Sequence, residues 1–191
     1  MSRAAKATIG LMIVTLLSKI LGFGRELVLG AAYGASNNSD VYITALNIPT
    51  TLFTMIGTGL VTTFIPLYFE NKQEGGEEQA NYFVNNLFNI IAVFTIIISI
   101  IGFIFAKPLV KIFAVGFKGE KFLLAVHYTR IMIFGGIFIA LTRLMTSYLN
   151  AKDSFTKPGL MGIPFNIIII ISIILSLTVN IYILPIGTLI A

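Results

Sequence analysis

Long apolar runs separated by short polar stretches dominate the chain, and their lengths set the expected secondary structure. Residues 7–33 form the first run, and the turn-rich link Gly34-Ala35-Ser36-Asn37-Asn38-Ser39 follows it. Residues 40–69 form the second run, the polar stretch 70–79 (ENKQEGGEEQ) reads as a solvated loop, and residues 80–106 form the third. A stretch holding Lys107, Lys111, Lys118 and Lys121 precedes the run 122–150. The polar turn 151–157 leads into 158–180, and 185–191 opens one more. About 20 apolar residues cross a bilayer as a helix. The pattern therefore predicts an all-α, polytopic transmembrane bundle with five complete spans and the start of a sixth. Ser39 or Asp40 is expected to cap the second helix, and Pro49 and Pro66 to kink it. The short connections predict that consecutive helices are antiparallel neighbours. Gly30 and Gly34 make a GxxxG pair of the kind that lets helices approach closely.

Composition narrows the class further. Of 191 residues, 57% are hydrophobic and 11% charged, against about 25% charged in a typical soluble domain, so the chain reads as an integral membrane protein. The first apolar run is too long for a cleavable signal peptide. The absence of cysteine rules out disulfides and thiolate metal sites. The formal charge is +5, but the basic residues are scattered and form no stripe, which argues against a nucleic-acid partner. His127 is the single histidine, and the acids assemble no nucleophile–base pair or carboxylate dyad. Neither an enzyme nor a cofactor is expected.

Charge inside the first run carries most of the information. Thirteen Leu, Ile, Val, Phe and Met residues lie between Ile9 and Leu29, yet the segment also holds Lys19, Arg25 and Glu26. Each charge costs about 2.5–3.5 kcal/mol near a helix centre and each large apolar residue returns about 0.3–0.6, so insertion is near balance or slightly unfavourable. Charges retained at that penalty usually face a bundle interior or a wet cavity. At about 100° per residue, Ser18 and Arg25 share one face and Lys19 and Glu26 another. Lys19 and Arg25 stand about 120° apart on that wheel, and a bend at Gly22 or Gly24 is the expected device for converging them. Snorkelling to the interface is the competing reading. Two cations in a low-dielectric cavity suit a phosphate or carboxylate group.

The second run carries a polar stripe at helical spacing: Asn47, Thr50, Thr51, Thr54, Thr58 and Thr62, with Asp40, Thr44 and Thr63 beside it. Two readings stand: a wall lining an aqueous cavity, or hydroxyls bonding back to their own helix. Arg130 and Arg143 fall in the fourth run; Arg130, two turns in from Phe122, reads as snorkelling, whereas for Arg143 cavity lining and snorkelling compete.

These residues resemble a known family. Ser18-Lys19-Ile20-Leu21-Gly22-Phe23-Gly24-Arg25-Glu26 looks like the S-R-x-L-G-F-x-R-[DE] motif of the MurJ/MviN lipid II flippases, members of the multidrug/oligosaccharidyl-lipid/polysaccharide exporter superfamily. Tyr33-Gly34-Ala35 with Ser39-Asp40 is similar to the family's F-G-A…[ST]-D-A link. Ile48-Pro49 and Phe64-Ile65-Pro66-Leu67…Glu70 resemble its L-P-N and F-[VI]-P-x-x-x-E elements. Phe113-Ala114-Val115-Gly116-Phe117 looks like A-P-G-F, and Asn150…Phe155…Pro158…Asn166 like N-x4-F-x2-P-x7-N.

The resemblance implies a flippase of the bacterial cytoplasmic (inner) membrane. Such a protein moves the undecaprenyl-pyrophosphate-linked peptidoglycan precursor from inner to outer leaflet by alternating access, using two six-helix lobes and two further helices. Residues 1–191 correspond to the N-terminal lobe, with membrane lipids and the missing C-terminal lobe as partners. Lys19 and Arg25 take the positions of two cavity arginines, and Ser18 and Asp40 fall on positions linked to the cavity and the outer gate. Glu26, Asn47, Thr54 and Thr58 join them as gate or cavity residues. The family's arginine pair after L-P-N is here Phe53 and Thr54, an acidic residue before Gly59 is Thr58, and Pro164 sits two residues later than its family counterpart. Arg143 is the candidate for replacement charge. Flipping of another lipid-linked oligosaccharide, cation-coupled drug antiport and a non-transporting scaffold for envelope synthesis are the rival readings. Arg3 and Lys6 favour a cytoplasmic N-terminus.

Overall fold

The computed structural model describes residues 3–191, with side chains from Ile9 onward. The side chains of Arg3 and Lys6, on which the orientation argument rests, lie outside the described residues. Among the described residues the regular structure is entirely helical. Helix α1 spans Arg3–Tyr33 without a break. Helical backbone then runs over Asn37–Ile104, interrupted only at Gly75 (φ −137°, ψ 19°) and Gly76 (φ 73°, ψ −165°), which separates α2 (37–74) from α3 (77–104). Next come α4 (Ala106–Phe113), α5 (Gly119–Met132), α6 (Gly135–Ala151), α7 (Thr156–Leu160), α8 (Gly162–Thr178) and α9 (Ile183–Ile190). Asn37–Ile104 and Thr156–Thr178 are long and apolar enough to cross a membrane, and α5 with α6 is so only as a pair, bent by 42° at its joint.

Several expectations change. The polar stretch 70–79 is a helical hairpin tip, not a loop: α2 and α3 continue through it to the two glycines. Residue 76 adopts backbone angles open essentially only to glycine, which lets the chain reverse in two residues. The cap of α2 is Ser36, whose side chain accepts the Ser39 N–H while the Ser39 hydroxyl oxygen accepts the Ser36 N–H. Pro49 and Pro66 stand within α2 at helical dihedrals. The lysine stretch after the third run contains α4, with Ala106 and Val110 buried and Lys107 and Lys111 exposed.

The expected single span 122–150 is two helices. At its joint the Gly136 N–H bonds the Ile133 carbonyl and the Ile137 N–H bonds Phe134, a tighter turn than the α-helix makes. The Ser99 hydroxyl of α3 also donates to the Ile133 carbonyl, at 3.3 Å.

Packing depends on small residues, as expected where hydrophobicity alone gives helices no reason to associate. A methyl group on Gly136 would overlap the fully buried Phe53 ring, and one on Gly102 would lie 2.8 Å from Ile133. These contacts seat α6 and its joint with α5 against α2 and α3. Tyr68, Tyr128, Phe53, Phe64 and Ile133 are the largest fully buried side chains there. Contrary to the neighbour expectation, α1 packs chiefly on α7 and α8, with few contacts to α2. Gly159 sits under Val14 and Gly162 under Ser18. Nothing approaches Gly30 within 4 Å and Gly34 meets only its own helix, so the GxxxG pair is not the contact.

Candidate functional site

Because α1 leans on α8, the space between α1 and α2 stays open. A cavity of about 210 Å³ lies there, lined by Arg25, Glu26 and Leu29 of α1, Tyr42 and Asn47 of α2, and Ile173 of α8 among others. The Arg25 guanidinium donates to the Glu26 carboxylate and stands 5.9 Å from the centre of the Phe165 ring. The arginine side chain is 21% exposed and that of Glu26 56%, so the cation lies inside the wall and its counter-ion toward the opening. Tyr42 is almost fully buried, and its hydroxyl shares a 2.9 Å hydrogen bond with Thr188 of α9. The cavity wall is thereby tied to the last helix.

Helical periodicity places the other residues of the α1 motif. Ser18 and Arg25 do share a face, which is the α8 face. There Ser18 is wedged against Gly162, and its carbonyl accepts from the Asn166 amide at 3.3 Å. Ser18 is therefore a seam residue and does not line the cavity. Lys19 is exposed on the other side, beside Leu16, Ile20 and Phe23. Since α1 is unbroken through Gly22 and Gly24, the expected convergence of Lys19 with Arg25 does not occur among the described residues.

On α2 the polar stripe exists as a face, and only Asn47 reaches the cavity. Thr50 donates to the Leu46 carbonyl, Thr58 to Thr54, and Thr62 and Thr63 to Gly59. Their hydroxyls are satisfied by their own helix, as the second reading expects, while the side chains remain exposed. Thr54 is half-buried. Position 53 is core, not cavity: Phe53 is fully buried. Arg143 of α6 lies against this part of α2, its Cγ 2.9 Å from where a Cβ on Gly57 would stand, and the residue is exposed.

Asp40 stands apart from the cavity. In the first turn of α2, where a helix favours negative charge, it pairs with Lys121 Nζ of α5 at 2.6 Å. That ammonium also lies 4.3 Å from the Phe117 ring centre. At the opposite end of the bundle Glu77 pairs with Lys72 and, at 3.6 Å, with Lys152. The bond from Lys72 lowers the Glu77 pKa below the usual carboxylate value and raises that of Lys72. Among the described residues no three His, Asp or Glu side chains gather as a metal site. Sequence reasoning missed Tyr42, Phe165 and Lys121 as neighbours of the charged residues. Their partners lie on other helices, and no local spacing announces them.

The family described as Lipid II flippase MurJ matches residues 29–191. A probable lipid II flippase MurJ from Buchnera aphidicola subsp. Acyrthosiphon pisum is 31% identical over 86% of this chain and 33% of its own length. The lipid II flippase MurJ of Burkholderia cenocepacia is 32% identical over 80% of this chain and 30% of its own length. A solved structure of a lipid II flippase MurJ in an inward closed conformation matches with a TM-score of 0.80 and 33% identity, over 95% of this chain and 39% of that one. The chain thus spans about a third of the length of the curated relatives it matches.

Proposed function

The chain belongs to the MurJ lipid II flippase family, and on that premise we propose that it serves as one lobe of a flippase for the undecaprenyl-pyrophosphate-linked peptidoglycan precursor. A second, C-terminal lobe completes the transport cavity, and the two rock against each other to expose it alternately to each side of the cytoplasmic membrane. The N-terminus is cytoplasmic on this reading.

The observation that carries the proposal is a positive side chain, Arg25, placed in the wall of a cavity between apolar helices. Arg25 offers a planar fork of donors matched to phosphate oxygens, and Glu26 holds the guanidinium until the pyrophosphate replaces that carboxylate. Lys19 and Arg143, both exposed, supply further charge once the second lobe closes over them. With an arginine position of the family occupied here by buried Phe53, these three cations carry the neutralisation. An inside-negative potential then favours outward movement of the anionic headgroup by about 2.3 kcal/mol per charge per 100 mV.

Complementation tests the reading. The full-length natural protein carrying Arg25→Ala as the sole copy is expected not to support growth, with the lipid-linked precursor accumulating on the inner leaflet. Lys19→Ala should impair growth as well. Normal growth of both variants at normal expression removes the anion site.

A further inference from the structure

Three polar links close a ring through α2, α5 and α9. Asp40 of α2 pairs with Lys121 of α5 at 2.6 Å. Tyr128, further along α5, donates to the Ile181 carbonyl just before α9, at 2.9 Å. Thr188 of α9 returns to α2 through its 2.9 Å bond with the Tyr42 hydroxyl, and Tyr42 also lines the cavity that holds Arg25. Among the described residues Asp40–Lys121 is the only ion pair that joins α2 to α5.

Lys121 gains nothing from its own helix. It is the third residue of α5, where the helix dipole disfavours a cation. Its support comes from the loop before α5 instead. The Phe117 N–H bonds the Ala114 carbonyl at 3.0 Å, and the half-buried Phe117 ring packs against the core with its centre 4.3 Å from the Lys121 ammonium. A ring face attracts a cation so placed. The motif Phe113–Phe117 thus ends at the ammonium that receives Asp40. The lysine side chain is 23% exposed and that of Asp40 55%, so the lysine is the better-covered partner on which the carboxylate docks. On α2, Asp40 and Asn47 lie two turns apart and share a face at about 100° per residue. The pair therefore stands at the head of the polar face that Asn47 carries into the cavity.

We propose that Lys121 is a positioning residue for the cavity. Backed by Phe117, it holds the start of α2 against α5 and so fixes where Tyr42 and Asn47 stand relative to Arg25. The role rests on the reading of that cavity as the transport site, and the two fail separately. Growth of Arg25→Ala bears on the anion site, whereas reactivity at position 47 bears on the brace.

The test uses membranes containing the full-length natural protein with Asn47→Cys as its sole cysteine, and follows the rate of labelling by a small water-soluble maleimide. Lys121→Gln should speed labelling by about threefold or more, as local opening of α2 requires. Asp40→Asn should do the same, and the double variant should add nothing further, because both changes break one link. Lys121→Arg, which keeps the charge over Phe117, should label at the wild-type rate, as should Glu77→Gln at the opposite end of the bundle. Asp40→Asn serves alone where Lys121→Gln fails to fold. Wild-type labelling in Lys121→Gln or Asp40→Asn, even with a lowered melting temperature, overturns the positioning role. Effects that multiply in the double variant overturn it too.

Discussion

Gly136 and Gly30 are chemically identical, yet only one is indispensable to the packing. A methyl on Gly136 would enter the ring of Phe53, which is fully buried and has nowhere to move, whereas nothing lies within 4 Å of Gly30. Gly136→Ala should therefore destabilise the detergent-purified protein by about 1–3 kcal/mol, the usual cost of overpacking. Gly30→Ala should change stability by no more than about 0.5 kcal/mol, and thermal unfolding of the two variants side by side checks the contrast. The same distinction governs the charged residues. That Ser18 and Arg25 share a face, and Lys19 and Glu26 another, follows from the 100° step of the helix and is legible in the sequence. That the first face meets α8, leaving Lys19 on the open side, is not, because it depends on which neighbour fits against Gly22 and Ser18.

At the scale of elements, the positions of the apolar runs were legible from length and hydrophobicity, and the bounds of the polar segments were not. Residues 70–79 are polar because they lie beyond the hydrocarbon, but polarity does not unwind a helix, so α2 and α3 run on to Gly75 and Gly76. The reversal rests on Gly76, whose φ of 73° and ψ of −165° lie in a region that costs other residues about 1–3 kcal/mol. Gly76→Ala should loosen the hairpin tip and speed tryptic cleavage after Lys72, leaving cleavage after Lys157 at its wild-type rate. The bend between α5 and α6 was hidden for a related reason. The Ile133 carbonyl at the bend accepts the Ser99 hydroxyl from another helix, a partner that no window on residues 122–150 contains.

For the whole molecule, the two wide faces left exposed differ in character. The α2 face carries Asn47, Thr50 and Thr58, whereas the outer face of α3 carries Ile97, Ile100 and Ile104. If the first lines a hydrated cavity and the second meets lipid, cysteines will report it. In membranes containing the full-length natural protein, Asn47→Cys and Thr58→Cys should react with a small water-soluble maleimide and Ile97→Cys should stay unlabelled. Equal labelling at positions 58 and 97 would remove the wet face. Asp40 and Lys121, 81 residues apart and paired at 2.6 Å, show the reach of such arrangements beyond any local pattern.

The order of apolar and polar residues by itself determined that this is a bundle of membrane-crossing helices, with cations in its first helix and a polar stripe on its second. Those are local properties, following from a 1.5 Å rise per residue and the cost of placing charge in hydrocarbon. Only the tertiary structure decided that α1 leans on α8 and leaves a cavity against α2, and that Arg25 enters that cavity while Lys19 does not. Within a bilayer, apolar faces do not select one another by hydrophobicity. The choice falls to the fit of glycines under side chains and to a few interhelical hydrogen bonds, and both require distant parts of the chain to meet.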